Sequence, residues 1–221
     1  MIIFVHMPKC GGKSIRHSLE TTYGSAFKQH YVNPRKEHSS SILSFLMRPK
    51  WPSKVDTEVV YGHFCFDQFA IYGLFNPIKK AMLFRHPIDL VCSSYFYRRE
   101  KHVDEYRNTT LIEYAKRKDM RDIFNLYLGR TRVEDLDFVG IQERFSESLA
   151  LYEKLFGKKL ENQRVNETQS KPVDYKSYLI QEGLLEEVAS LMASNIAIYE
   201  KALVRFEELI RTSSSRELSQ S

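Results

Sequence analysis

The stretch Met7-Pro8-Lys9-Cys10-Gly11-Gly12-Lys13-Ser14 concentrates groups that can hold an anion. Paired glycines let backbone N–H groups approach a phosphate closely, and a helix starting there would turn its positive end toward it. Lys9 and Lys13 add charge, and Ser14 adds a hydroxyl donor. An ordinary strand-to-helix turn explains the glycines but not the two lysines and the serine around them. Arg85 and Ser93 form a second candidate pair. A guanidinium fork suits phosphate bidentately, and a serine two helical turns further on can face the same ligand. His63 is a candidate general base, because an imidazole with its ordinary pKa of about 6.5 can accept a proton near neutral pH.

Read by itself, the first loop admits several chemistries. Gly12-Lys13-Ser14 matches the end of a Walker A nucleotide loop, as in a P-loop kinase, but Met7 stands where the first glycine belongs. No clear strand ending in a magnesium-binding Asp follows. Cys10 and Arg16 have the C-x5-R spacing of a cysteine phosphatase, whose thiolate would attack phosphorus. The Asp-Pro acid loop of many such enzymes is missing, and packing of a small residue also accounts for Cys10. A module that binds phosphate or glycan without turnover fits as well.

These residues need elements to position them. Ile2 to His6 is a short apolar run, as for a strand buried on both faces, and a helix begins near Ser14. Glu58–His63, Lys79–Arg85 and Asp137–Ile141 read as further strands. Pro87 suits the first turn of a helix running to about Arg99. Other helical patterns fall at 39–48, 66–72, 110–118, 122–128, 145–156, 183–193 and 195–210, and 51–53 reads as a loop. The pattern predicts one α/β domain over 1–211, a P-loop-like parallel sheet with helices on both faces, and a disordered Ser-rich tail at 212–221. Ligands of such sheets bind beyond the carboxyl ends of the strands. Lys9, His63 and Arg85 each lie at or just past a strand end, so one crevice can collect them.

Phe4 to Ser14 resembles the 5'-phosphosulfate loop of the Golgi-type carbohydrate sulfotransferases, H-x-P-K-T-G-G-T-S, with Cys10 and Lys13 in place of threonines. Leu83 to Tyr95 is similar to that family's 3'-phosphate motif, R-D-P-x-x-R-x-x-S-x-Y. Arg85, Pro87, Ser93 and Tyr95 match, while His86 and Leu90 replace Asp and Arg. Tyr61-Gly62-His63-Phe64 resembles a segment of the uronyl 2-O-sulfotransferase branch, in which the histidine is implicated as base. Val139 to Glu143 resembles a recurrent V-G-x-x-E strand of the family, although a core strand explains it equally. Residues 166–171 could supply a late loop over the nucleotide.

The resemblance implies a sulfotransferase fold and transfer of a sulfuryl group from 3'-phosphoadenosine 5'-phosphosulfate (PAPS) to a hydroxyl, with 3'-phosphoadenosine 5'-phosphate (PAP) as product. The acceptor it implies is a glycan. Lys9 and His63 would be catalytic. Lys9, Cys10, Gly11, Gly12, Lys13 and Ser14 would hold the 5' side, and Arg85 and Ser93 the 3'-phosphate. His86 is a second candidate base. No metal is required by this chemistry.

Composition sets the outer bounds. The chain has 221 residues, 43% hydrophobic and 28% charged, which is ordinary for a globular protein. A net charge of +5 and a pI near 9.0 fit anionic ligands without choosing among them. Three cysteines without a C-x-x-C suggest neither a disulfide framework nor a zinc site, and point to a reducing compartment. No apolar run approaches the roughly 18 residues of a membrane span. With Met1 followed at once by a strand, the expectation is a cytoplasmic enzyme, the alternative being a catalytic domain cut from an anchor. No nucleic-acid partner is expected. The basic runs Arg98, Arg99, Lys101, Arg107 and Lys116, Arg117, Lys118, Arg121 could meet an acidic glycan, but a solvated helical face is the simpler expectation. The acceptor's identity and the oligomeric state are not set by these residues.

Overall fold

A computed structural model describes residues 1–32, 57–161 and 174–218. The helix expected at 39–48, the loop at 51–53 and the late loop at 166–171 lie outside the described residues. In chain order the strands are β1 (Ile2–Val5), β2 (Phe27–Gln29), β3 (Val59–Gly62), β4 (Lys79–Phe84) and β5 (Phe138–Ile141). The helices are α1 (Gly12–Tyr23), α2 (Ala70–Phe75), α3 (Pro87–Lys101), α4 (Val103–Tyr106), α5 (Leu111–Lys116), α6 (Lys118–Arg121) and α7 (Ile123–Leu128). After β5 come α8 (Phe145–Phe156), α9 (Tyr175–Gln181), α10 (Leu185–Leu191) and α11 (Ala193–Leu218).

The five strands form one parallel sheet in the order β2-β3-β1-β4-β5. Every residue of β1, β3 and β5 is buried, as are Ala81 to Phe84 of β4. Burial of successive residues, which point to opposite faces, means that both faces are covered by helices. Each large apolar side chain removed from water here contributes roughly 1.5–3 kcal/mol. The α/β architecture is therefore the expected one. β1 sits at the centre, with Val5 level with Gly62 on one side and Met82 on the other. The chain leaving β1 travels out to the β2 edge, whereas the chain leaving β4 goes to β5 at the opposite edge. The carboxyl ends of β1 and β4 thus flank a topological switch point, where open α/β sheets place their ligands.

Local sequence explains most helix bounds. Pro87 opens α3, where its missing N–H costs nothing. Thr110 caps α5 in a reciprocal capping box with Glu113. Besides the short helices α4 and α6, two elements were not foreseen. β2 has one buried residue in three, Phe27, and owes its strand form to pairing with β3. The other is α9, seven residues long and capped by the Asp174 carboxylate on Lys176 N–H. The helix expected to stop near 210 continues to Leu218. Ser213 is buried, and the hydroxyls of Ser213, Ser214 and Ser215 donate back to carbonyls of the preceding turn. Serines that satisfy themselves in this way can extend a helix rather than fray it.

Candidate functional site

β1 delivers the chain into the candidate anion loop, and three neighbours fix the loop's shape. The Tyr61 hydroxyl, from β3, donates to the Gly12 carbonyl at 2.8 Å. Arg85 Nη1, from the end of β4, donates to the Lys9 carbonyl at 2.9 Å. His6 lies so close beneath Gly12 that any Cβ there would collide with its ring. Lys9 has φ 68°, a left-handed conformation that costs a non-glycine residue on the order of 1–3 kcal/mol. Its carbonyl bond to Arg85 helps to hold that conformation, and its Nζ lies 4.1 Å from the centre of the Tyr97 ring on α3. Gly11, at φ 68°, is the N-cap of α1; it offers no side-chain cap, and the first turn has no acidic residue. The positive end of α1 is thus left open to an anion. Lys13 is exposed at this end and Ser14 is half-buried.

Cys10 is fully buried, and burial pushes its thiol far up from its ordinary pKa, with Arg85 offsetting only part of that rise. A thiolate nucleophile needs the opposite shift. The C-x5-R reading therefore fails, and Cys10 packs in the core. It can contribute to an anion site only through its backbone.

On α3, Asp89, Ser93 and Tyr97 follow one another at four-residue spacing and share a face. Because Lys9 reaches Tyr97, the first loop lies along the same face as Ser93. Ser93 is 1% exposed, yet its Oγ has no hydrogen-bond partner among the described residues. Leu90, which stands where the resembled motif has its second arginine, is fully buried and packs the core. Glu143, just beyond β5, shapes the loop after β4. One of its carboxylate oxygens accepts the His86 backbone N–H at 2.8 Å and the other the Tyr199 hydroxyl at 3.0 Å. His86 in turn sets its ring against Tyr199.

His63 follows β3 and is half-buried. Its ring lies 4.6 Å from that of His6 and 5.0 Å from that of Tyr31 between centres, with Nδ1 3.5 Å from the Tyr127 hydroxyl. Burial lowers its pKa below 6.5, against a smaller upward effect from a hydrogen bond to the His6 backbone. His63 is therefore neutral at pH 7. A neutral imidazole keeps one ring nitrogen with the lone pair that a base requires. His6 is driven lower still, first by burial and then by His63 and Arg16.

Residue types alone missed several members of this region. Arg16 Nε, both ring nitrogens of His6 and Gln142 Oε1 are buried without partners among the described residues. Gln142 lies against Gly11, and the charge of Arg16 is felt at His6 and Tyr61. Unpartnered buried polar atoms are rare in folded proteins, and several of those in this chain lie under and beside one loop.

The second basic region behaves differently. Arg98 donates to the Tyr114 hydroxyl at 3.1 Å and lies over the Tyr106 ring. Arg117 donates to Asp119 and Tyr106 and covers the rings of Tyr106 and Tyr114. Lys116 pairs with Glu187. Arg98 and Arg117 are thus packing residues, more than the solvated face expected. A cavity of about 200 Å³ lies at the amino end of β4, lined by Phe66, Asp67, Lys80 and Arg130 among others, and is separate from the strand ends that carry Lys9, His63 and Arg85. Among the described residues no cluster of His, Cys, Asp and Glu could hold a metal, and no helix is long and apolar enough to cross a membrane.

No family model and no curated protein matches the sequence. A structural search finds similarity to a sulfotransferase from Alicyclobacillus acidocaldarius, at 14% identity and a TM-score of 0.36, over 89% of this chain and 95% of that one.

Proposed function

We propose that this chain is a sulfotransferase that uses PAPS as donor and a hydroxyl, on a sugar, as acceptor. The observation that carries the reading is the position of Arg85. It holds the Lys9 carbonyl of the first loop while standing at the head of the helix that bears Ser93. Two anion-suited elements are thereby joined across a switch point. That arrangement fits a nucleotide with phosphates at both its 5' and 3' positions better than one with a single phosphate chain. The unpartnered Ser93 hydroxyl and the uncapped end of α1 also fit such a donor. PAPS, when bound, supplies an activated sulfuryl group.

The chain's own residues then divide the work. Lys9, Lys13, Ser14 and the N–H groups at Cys10, Gly11 and Gly12 hold the 5' side. The Lys9 ammonium offsets the charge that grows on the leaving 5'-phosphate. Arg85 and Ser93 hold the 3'-phosphate. His63 takes the proton from the acceptor oxygen onto its unprotonated ring nitrogen as that oxygen attacks. The assignment of a sugar acceptor rests on the likeness of residues 4–14 and 61–64 to carbohydrate sulfotransferases. The sequence carries three cysteines and no C-x-x-C, which fits a reducing compartment, and the proposed location is the cytoplasm.

Thermal stability with added nucleotide tests the reading. PAP should raise the melting temperature without magnesium, and far more than ADP does. A ligand at a hundredfold excess over its dissociation constant adds about 2.7 kcal/mol to apparent stability. Stabilisation by ATP that requires magnesium, with no response to PAP, would replace this reading with a P-loop kinase.

A further inference from the structure

Helix α9 brings a buried tyrosine to the same place as Ser93. Tyr175 is 6% exposed and Ser93 is 1% exposed. Neither hydroxyl has a well-formed hydrogen bond among the described residues, although the two lie beside each other. The Tyr175 ring is fixed from behind by Phe96 of α3, stacked at 5.9 Å with an angle of 9° between planes. Phe96 in turn meets Tyr178, one turn further along α9. The hydroxyl is thus held on a rigid ring. The loose contact between the two hydroxyls leaves donor capacity that a ligand accepting from both would use.

The charges around the pair favour an anion. Burial raises the Tyr175 pKa, so the hydroxyl keeps its proton and can donate; Ser93 and the Arg85 guanidinium offset part of that rise, while Cys92 and Asp89 add to it. Asp89 is the acidic group on this face of α3; burial raises its pKa, and the neighbouring Arg85 and His86 offset part of that rise. Arg85 spends one of its N–H donors on the Lys9 carbonyl and makes no other hydrogen bond among the described residues.

We infer that the Tyr175 hydroxyl is a third donor to the 3'-phosphate, completing with Arg85 and Ser93 a subsite that selects 3'-phosphorylated nucleotides over those with a free 3'-hydroxyl. This deepens the PAPS reading and rests on it. It assigns the selection partly to α9, an element 90 residues away from Arg85 in the chain and without any motif of its own.

The test compares PAP with AMP, which differs by the 3'-phosphate alone, on wild type and on Tyr175→Phe. The phenylalanine keeps the ring stack on Phe96, and melting temperature without ligand checks the fold. Loss of one hydrogen bond to a charged group should weaken PAP about tenfold or more and AMP less than about twofold. The PAP-to-AMP preference should therefore narrow in the variant. An unchanged preference in a folded variant that still binds PAP overturns the role of Tyr175 and leaves the sulfotransferase reading intact. Wild-type protein that fails to prefer PAP over AMP overturns both.

Discussion

Two regions of this molecule are rich in cations, and they use them in opposite ways. Around the first loop, Lys9, Lys13 and Arg85 surround a helix end with no side-chain cap and a set of buried polar atoms without partners among the described residues. Along α3 to α6, Arg98 and Arg117 are closed onto Tyr106 and Tyr114 by hydrogen bonds and ring stacking. The local density of positive charge is similar in the two stretches. The difference lies in the buried polar atoms beside them, several of which have no hydrogen-bond partner among the described residues near the first loop. Such atoms suit a ligand, whereas cations packed onto tyrosines stabilise the fold. The number of basic residues in a segment therefore says less about binding than what each of them touches.

The contrast can be sharpened first at His63, which stands beside the anion loop but is assigned to proton removal. His63→Ala should lower transfer about 10²–10⁴-fold while PAP affinity stays within a few-fold of wild type. Label transfer from PAPS and calorimetry on the same variant measure both. Near-normal turnover would move the base to His86.

Arg85→Ala and Arg117→Ala set the two regions directly against each other. Arg85→Ala should weaken PAP about a hundredfold, since charge-assisted hydrogen bonds contribute roughly 1.5–3 kcal/mol each. Arg117→Ala should leave PAP binding unchanged and instead lower the melting temperature by about 2–4 °C for each kcal/mol lost. Equal effects of the two substitutions on PAP would erase the distinction. Lys13→Ala should cost only about two- to threefold in PAP affinity, because its charge is exposed and screened, and that small loss should shrink further in added salt.

Acidity gives a further test. His6 and His63 both have folded pKa values held below 6.5, so the unfolded chain binds more protons as the pH drops past that point. Stability should be fully present above pH 6.5 and fall progressively below it. The fall should be smaller in His63→Ala, which lacks one of the two groups. Transfer should likewise persist down to pH 6.5 and decline only below it, as His63 gains its proton. A rate that already declines between neutrality and pH 6.5 would point to a base with an unlowered pKa. The smallest expected effect lies far from the site. Thr110→Ala removes the capping box of α5 and should cost about 1 kcal/mol with no change in PAP affinity.

The sequence by itself determined the opening unit of strand, loop and helix. The apolar run Ile2 to Val5, the glycine pair and the lysines are contiguous, and their conformations follow from local sterics and hydrogen bonding. It also determined β3, β4 and β5 and the start of α3 at Pro87, because buried strands and N-terminal prolines leave signatures within a few residues. The tertiary structure alone decided which polar groups meet. Glu143 reaches the His86 N–H across 57 residues, Tyr61 reaches Gly12 across 49, and Tyr175 arrives beside Ser93 on a short helix with no motif of its own. It decided as well that Cys10 is a packing residue and that Arg98 and Arg117 are spent on tyrosines. The physical reason is the same in each case. Residue type and spacing specify what a side chain can do, but burial and the partners supplied by distant segments determine whether that capacity is used inside the fold or left for a ligand.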